Sequence, residues 1–324
     1  MKMKMKMKKT ILAAIIALMP MAAGADNNEI PCIEPDGTYM FARRDTCDLY
    51  MDIYYPEDGS ETIYNGQRKP AILFVFGGGF IGGSRDEPYN LPWYKALTEN
   101  GYTVIAIDYR LGLKGAESVG IGQVDVLDKA IHMAVEDLFS ATAFIAENAD
   151  ALNVAPDKLV LCGSSAGAIT ILQAEYELCN RTHYAAELPE GFRYAGLMSF
   201  AGGILSRQGK LKFGREASPI MLIHGTEDKL VNYKQVAFFN LGFYGSHRIA
   251  ERLEKSGSVY CIFRYPGHGH EIASIMGQTV PMQDAFIKEN VIDGKRTVID
   301  ATVNSPGIPS GKGMSQSRKE LYGN

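Results

Sequence analysis

The chain has 324 residues, of which 46% are hydrophobic and 22% charged, and a formal net charge of −4. This composition excludes a disordered or fibrous chain and suits one large globular domain or two small ones. An acidic balance with no Lys/Arg run beyond the first residues argues against a nucleic-acid partner.

The first elements are those of an export signal. Lys2, Lys4, Lys6, Lys8 and Lys9 precede an apolar run, Ile11–Met19, and a small-residue site, Ala23-Gly24-Ala25. The run is too short to span a bilayer. Residues 1–25 therefore read as a signal peptide, and the mature chain is expected to be periplasmic or secreted, with no membrane insertion. Removing the five lysines of this segment takes the formal charge from −4 to −9.

The five cysteines are Cys32, Cys47, Cys162, Cys179 and Cys261. An odd number leaves at least one unpaired. Cys32 and Cys47 are a candidate disulfide in an exported chain, with two free thiols as the alternative. No CxxC pair or His/Cys cluster points to a metal.

Gly37–Ala42 and Asp48–Tyr55 read as strands, the second alternating Leu49, Met51, Ile53 and Tyr55. Residues 71–76 form a fully apolar run, as a central parallel strand requires. It ends in Gly77-Gly78-Gly79-Phe80. A glycine run after a buried strand can turn backbone N–H groups toward a developing oxyanion. It matches neither nucleotide-binding glycine pattern.

Leu91–Asn100 predicts a short helix, Thr103–Asp108 a buried strand and Val124–Asn148 a long amphipathic helix. Leu159–Cys162 then feeds Gly163-Ser164-Ser165-Ala166-Gly167, and Ile169–Leu178 leaves it as a helix. Strand, G-x-S-x-G and helix together are the context of a nucleophile elbow. Ser165 is the candidate nucleophile, and the Ala166 N–H a candidate oxyanion donor beside a helix N-terminus. The plain alternative is a strand–helix turn whose serine caps the helix.

Further along, Ala195–Phe200 predicts a strand and Arg207–Ser218 a basic loop carrying a short helix. Ile220–His224 predicts a strand that runs into Gly225-Thr226-Glu227-Asp228. An acid past a late strand can fix a histidine tautomer and stabilise its imidazolium. Asp228 is the candidate and Glu227 the runner-up. Tyr233–Lys255 reads as a helix broken near Gly242–Ser246, with Phe238, Phe239, Phe243 and Tyr244 expected in the core. Val259–Tyr265 predicts the last central strand. It is followed by Pro266-Gly267-His268-Gly269-His270, where either histidine could be the general base. His132, His183, His224 and His247 do not fall in the required order. Met282–Asn290 predicts a final helix, Arg296–Val303 an edge strand, and Ser305–Asn324 a polar tail without a packed core.

Alternating strands and helices predict an α/β fold with a doubly wound, mostly parallel sheet flanked by helices. The domain is expected to span residues 26–304, with a disordered tail at 305–324. The order nucleophile, acid, histidine, each after a different strand, resembles an α/β-hydrolase. More narrowly, the chain is similar to the hormone-sensitive lipase-like carboxylesterases. The carriers are Phe76–Phe80, Asp108-Tyr109-Arg110-Leu111, the elbow, His224–Asp228 and Tyr265–His270.

The resemblance implies a Ser165–Asp228–His270 triad and an oxyanion hole from the N–H groups of Gly78, Gly79 and Ala166. It decides for His270, leaving His268 and Phe80 as substrate-side candidates. It implies no cofactor or metal, and a small-molecule or glycan ester as partner. Asp108-Tyr109-Arg110 is implied to be a structural turn. Two departures stand out. Phe76 occupies the position where the group has histidine, and no N-terminal cap is visible, which predicts an open site. The expected activity is hydrolysis of short acyl esters, with acetyl or feruloyl esters of polysaccharide fragments as candidates. A serine peptidase or an inactive binding module on the same fold is the alternative. Oligomeric state is not encoded legibly.

Overall fold

The computed structural model describes residues 33–45, 47–115, 124–305 and 307–308. The expected signal peptide, Cys32 and most of the expected tail lie outside the described residues, so the Cys32–Cys47 pairing does too. The described residues belong to a unit spanning Pro31–Asn324.

The strands are β1 (Gly37–Arg43), β2 (Asp48–Tyr54), β3 (Ile63–Tyr64), β4 (Gln67–Arg68), β5 (Ala71–Val75), β6 (Thr103–Ile107), β7 (Leu159–Ser164), β8 (Gly196–Phe200), β9 (Gly203–Ser206), β10 (Ile220–Gly225), β11 (Gln235–Phe238), β12 (Leu241–Gly245), β13 (Tyr260–Tyr265) and β14 (Ile299–Thr302). The helices are α1 (Leu91–Glu99), α2 (Val124–Glu147), α3 (Ala166–Asn180), α4 (Ser246–Ser256) and α5 (Val280–Phe286), the last continuing into a π-helical turn, Ile287–Ile292.

Nine strands form one sheet in the order β1-β2-β6-β5-β7-β8-β10-β13-β14. The β1–β2 and β2–β6 pairs are antiparallel, and every later pair is parallel. Strands β5, β6 and β7 are buried along their whole length. That is why they read as continuous apolar runs and not as alternating ones. The chain leaves β6 on one side of β5 and returns as β7 on the other. The loops after β5 and β7 therefore face one another at the carboxyl edge, where ligands bind in such sheets.

Adjacent strands lie about 5 Å apart. The end of β13 is three strands from β7, so its loop must lean back across the sheet edge to reach the elbow. It does so over Gly225. A Cβ there would lie 2.3 Å from the carbonyl oxygen of Gly269 and 2.5 Å from that of His268.

Helix α3 is buried from Ala166 to Cys179. It lies between the large sheet, α2 and a second, three-stranded sheet, β11-β12-β9. Its polar groups consequently need internal partners. Glu177 receives hydrogen bonds from Gln173 (2.6 Å) and Thr182 (2.5 Å), and the Nε2 of His132 lies 3.2 Å from it.

The second sheet corrects the sequence reading. Tyr233–Ser246 is a hairpin, not a helix, and only Ser246–Ser256 is helical. Short β-prone runs flank a turn at Phe239-Asn240, where Phe239 has φ 53°. Gly245 at the return passes so near the chain that a Cβ would meet the Asn232 carbonyl at 1.9 Å. Phe238 and Phe239 are 75% and 90% exposed and do not belong to the core, whereas Tyr244 does. The basic segment after Ser206 carries no helix. Its Arg207 instead reaches α2, pairing with Asp125 and with Asp128 at 2.8 Å. The final strand, β14, pairs in parallel with β13 at the sheet edge.

His132 is the joint between α2 and α3. Burial disfavours its charge, but hydrogen bonds to Asp128 and Glu177 outweigh this and raise its pKa from 6.5 to about 9. A histidine raised on folding stabilises fully below pH 6.5 and loses that contribution as pH climbs through about 9. The melting temperature should therefore fall over that interval. His132→Gln should be less stable at pH 6 and show a flatter decline, as calorimetry across pH would read.

Candidate active site

Ser165 sits between β7 and α3 with φ 52° and ψ −115°. A non-glycine residue pays for that conformation in strain, and the surrounding packing must hold it there. Two hydrogen bonds clamp its backbone: its N–H donates to the Phe200 carbonyl of β8, and its carbonyl accepts from Ile169, both at 2.9 Å. The start of α3 is pressed against β5. A Cβ on Gly167 would lie 1.9 Å from the Val75 carbonyl oxygen, so only glycine fits.

The turn delivers the hydroxyl to the histidine loop. Ser165 Oγ lies 2.8 Å from His270 Nε2, and His270 Nδ1 lies 2.7 Å from Asp228 Oδ2. All three residues are buried, at 3%, 2% and 4% exposure. Residues 116–123, after the β6 turn, lie outside the described residues, and with them the expectation of an open site. Facing an acceptor-only carboxylate, the neutral His270 carries its proton on Nδ1, leaving Nε2 to accept from the serine.

Asp228 is held from four directions. Its Oδ1 accepts from the backbone N–H groups of Leu230 and Val231, both at 2.9 Å. Its Oδ2 faces His270 and also His224 Nε2 at 3.1 Å. Burial pushes this carboxyl up, but the hydrogen bonds and charge of the two histidines more than offset it, and the pKa is lowered below the ordinary carboxylate range. Glu227, the runner-up, points to solvent, and only its backbone, donating to the His268 carbonyl, joins the histidine loop.

The glycine loop lies beside the nucleophile, close enough that a Cβ on Gly77 would be 3.3 Å from Ser165 Cβ. Among the described residues, the N–H groups of Gly78, Gly79 and Ala166 donate to no backbone carbonyl, while Gly78's own carbonyl closes a turn with Ile81 and Gly82. Three unspent donors beside a serine hydroxyl are what a developing oxyanion needs.

Phe76 shows how the loop is supported without a histidine. Its ring stacks on Tyr109 at 4.4 Å, and the Tyr109 hydroxyl donates to its carbonyl at 3.1 Å. Neighbouring charges hold that turn: Asp108 accepts from Arg85 at 2.7 Å, and Arg110 pairs with Asp137. Phe80 is 1% exposed with its ring edge-on to Tyr109, so it backs the loop and offers a substrate no surface. His268 is also buried, its Nδ1 3.2 Å from Glu271 and its ring edge-on to Tyr265. It makes no hydrogen bond to Ser165, His270 or Asp228.

His224 is the residue that sequence order set aside. Its signal was its position four residues before Asp228, on the strand that carries the acid. Among the described residues, no three His, Cys, Asp or Glu side chains converge as metal ligands, and no helix is long and apolar enough to cross a membrane.

Gly167→Ala should force α3 away from β5 and cost about 3 kcal/mol or more, as overpacking of a tight contact does. Denaturant melts would read the loss.

Comparison with known proteins agrees with this fold. Residues 51–177 match the BD-FAE family model. An esterase from Thermogutta terrifontis, solved with propionate bound, superposes with a TM-score of 0.57 at 22% identity, covering 85% of this chain and 98% of its own. Chlorogenic acid esterase of Aspergillus niger is 30% identical over 132 residues, 40% of this chain and 24% of that protein. The non-reducing polyketide synthase ausA of Emericella nidulans is 36% identical over 89 residues, 27% of this chain and 3% of that one. This chain thus spans about a quarter or less of the length of these curated relatives. Its sheet order and its likeness to the esterase structure give the chain the α/β-hydrolase fold, and the segment that resembles BD-FAE contains both the glycine loop and Ser165.

Proposed function

We infer that the protein is an exported serine carboxylesterase acting on short acyl esters. The observation that carries this reading is the hydrogen-bonded series Ser165 Oγ, His270 and Asp228, with links of 2.8 and 2.7 Å. A group poised to take a proton from a serine beside three unspent N–H donors fits acyl transfer.

In this mechanism His270 Nε2 takes the proton of Ser165 as Oγ attacks the ester carbonyl. The N–H groups of Gly78, Gly79 and Ala166 hold the oxyanion of the tetrahedral intermediate. Asp228, kept ionised, stabilises the imidazolium. The alcohol leaves with the proton from His270, and an acyl group remains on Ser165. Water then gives its proton to His270, attacks the acyl carbon and releases the acid, returning the proton to Ser165. The intact hydrogen-bonded series favours this reading over that of an inactive binding module.

The likeness to an esterase holding propionate supports a small acyl group. The likeness to a chlorogenic acid esterase keeps aromatic acyl esters in view. Acetyl or feruloyl esters of polysaccharide fragments are the natural substrates proposed.

Ser165→Ala should reduce turnover by on the order of 10⁴–10⁶ while the fold is retained. Near wild-type activity in that variant would remove the assignment. His270→Ala should be nearly inactive, and His268→Ala should keep most of its activity, because His268 is engaged with Glu271. Nitrophenyl acetate, butyrate and long-chain esters, run beside acetylated xylan and methyl ferulate, test the substrate class. A preference for long-chain emulsified esters would contradict it.

A further inference from the structure

His224 lies at the end of β10, fully buried, with both ring nitrogens engaged. Nε2 faces Asp228 Oδ2 at 3.1 Å and the Val231 carbonyl at 3.0 Å. Neither atom can donate, so Nε2 carries a hydrogen. Nδ1 lies 2.8 Å from Ser246 Oγ, at the first residue of α4. A serine hydroxyl can donate or accept, so Ser246 can partner Nδ1 whether or not that nitrogen carries a hydrogen.

We propose that His224 is a positioning residue of the hydrolytic machinery, holding Oδ2 of Asp228 and weakening it as an acceptor for His270, with Ser246 fixing the ring. This rests on the esterase reading of Ser165, His270 and Asp228. The geometry is specific. A single carboxylate oxygen is shared between two imidazoles, while the other oxygen is occupied by two backbone N–H groups. The carboxylate therefore has no rotational freedom, and how tightly it binds the His270 proton depends on the second imidazole.

Other groups around this pair are accounted for. The Tyr233 ring stands edge-on to His224 at 5.4 Å. Arg264 of β13 is engaged by Asp300 (2.7 Å), Tyr233 and His247. Lys229 and Glu227 are exposed, and His268 and Glu271 face one another on the histidine loop. Among the described residues, none of these makes a hydrogen bond to Asp228 Oδ2.

The sign follows from charge sharing. An N–H donated to Oδ2 reduces the negative charge available to the imidazolium of His270. Losing that donor strengthens the bond to His270 and favours its charged form. The acidic limb of the kcat/KM profile, which reports protonation of the free enzyme's base, then moves to higher pH.

Two amide variants separate the two contacts of the ring. The His224→Asn amide can reach Ser246 from the Nδ1 position but not Asp228. The His224→Gln amide can reach Asp228 from the Nε2 position but not Ser246. His224→Asn should move the acidic limb upward by about half a pH unit, with KM little changed. His224→Gln should restore the wild-type limb. Thermal melts of both report the structural cost separately. Superimposable profiles for wild type and both variants, or equal shifts in both, would overturn the role of His224 while leaving the esterase reading intact. Activity surviving in Ser165→Ala would instead remove the reading beneath it.

Discussion

One contact governs the site: the first turn of α3 lies directly against the carbonyl end of β5. Because Gly167 meets Val75 without a side chain between them, the helix starts one residue after the strand β7 ends. No relaxed turn fits in that space, and Ser165 is left in its strained conformation. The same contact brings the loop after β5 beside the elbow. Ser165 and the glycine loop are thereby placed by a single packing event. Buried β5 and β7 supply the apolar area that offsets the strain.

The other half of the site solves a distance problem. The acid and the histidine come from strands two and three places from β7. The loop after β13 folds back over Gly225, and its carbonyl groups receive hydrogen bonds at that crossing, including the one from Glu227 to His268. Asp228 then stands between the returning His270 and His224 on its own strand. Desolvation alone would raise a buried carboxylate. Here the hydrogen bonds and charge of His224 and His270 more than offset that effect, and the charge needed opposite an imidazolium is available at any ordinary pH.

Much of this was legible because the constraints act locally. Continuous apolar runs marked β5, β6 and β7, and the G-x-S-x-G pattern marked a turn whose glycines have no substitute. The order of motifs along the chain pointed to the three residues that the structure joins by hydrogen bonds. What escaped was non-local. Tyr233–Ser246 has the apolar content of a helix, but pairing with β9 decides its conformation, and β9 itself is only four residues long. Phe238 and Phe239 looked like core because apolar content carries no address. Phe80 looked like a substrate contact because it follows the glycines, yet its ring turns inward to Tyr109. His224 was passed over because chain order says nothing about a second donor on the acid.

The small sheet, β11-β12-β9, stands largely apart from the residues around Ser165. Strand β9 leaves the elbow side at Gly203, and its Leu205 N–H is received by Gln173 of α3 at 3.0 Å, farther down the helix. Strand β12 returns antiparallel, pairing Gly242 with Ser206 and Gly245 with Gly203. The Phe239 tip therefore lies at the far end of the hairpin from the acid turn, along the flank of α3. Its return, Gly245-Ser246, comes back to the site, where Ser246 meets His224. The hairpin thus touches His224 through the Ser246 hydroxyl and the Tyr233 ring. Its exposed tip stands clear of Asp228, whereas Ser246 touches the ring that meets Asp228 Oδ2.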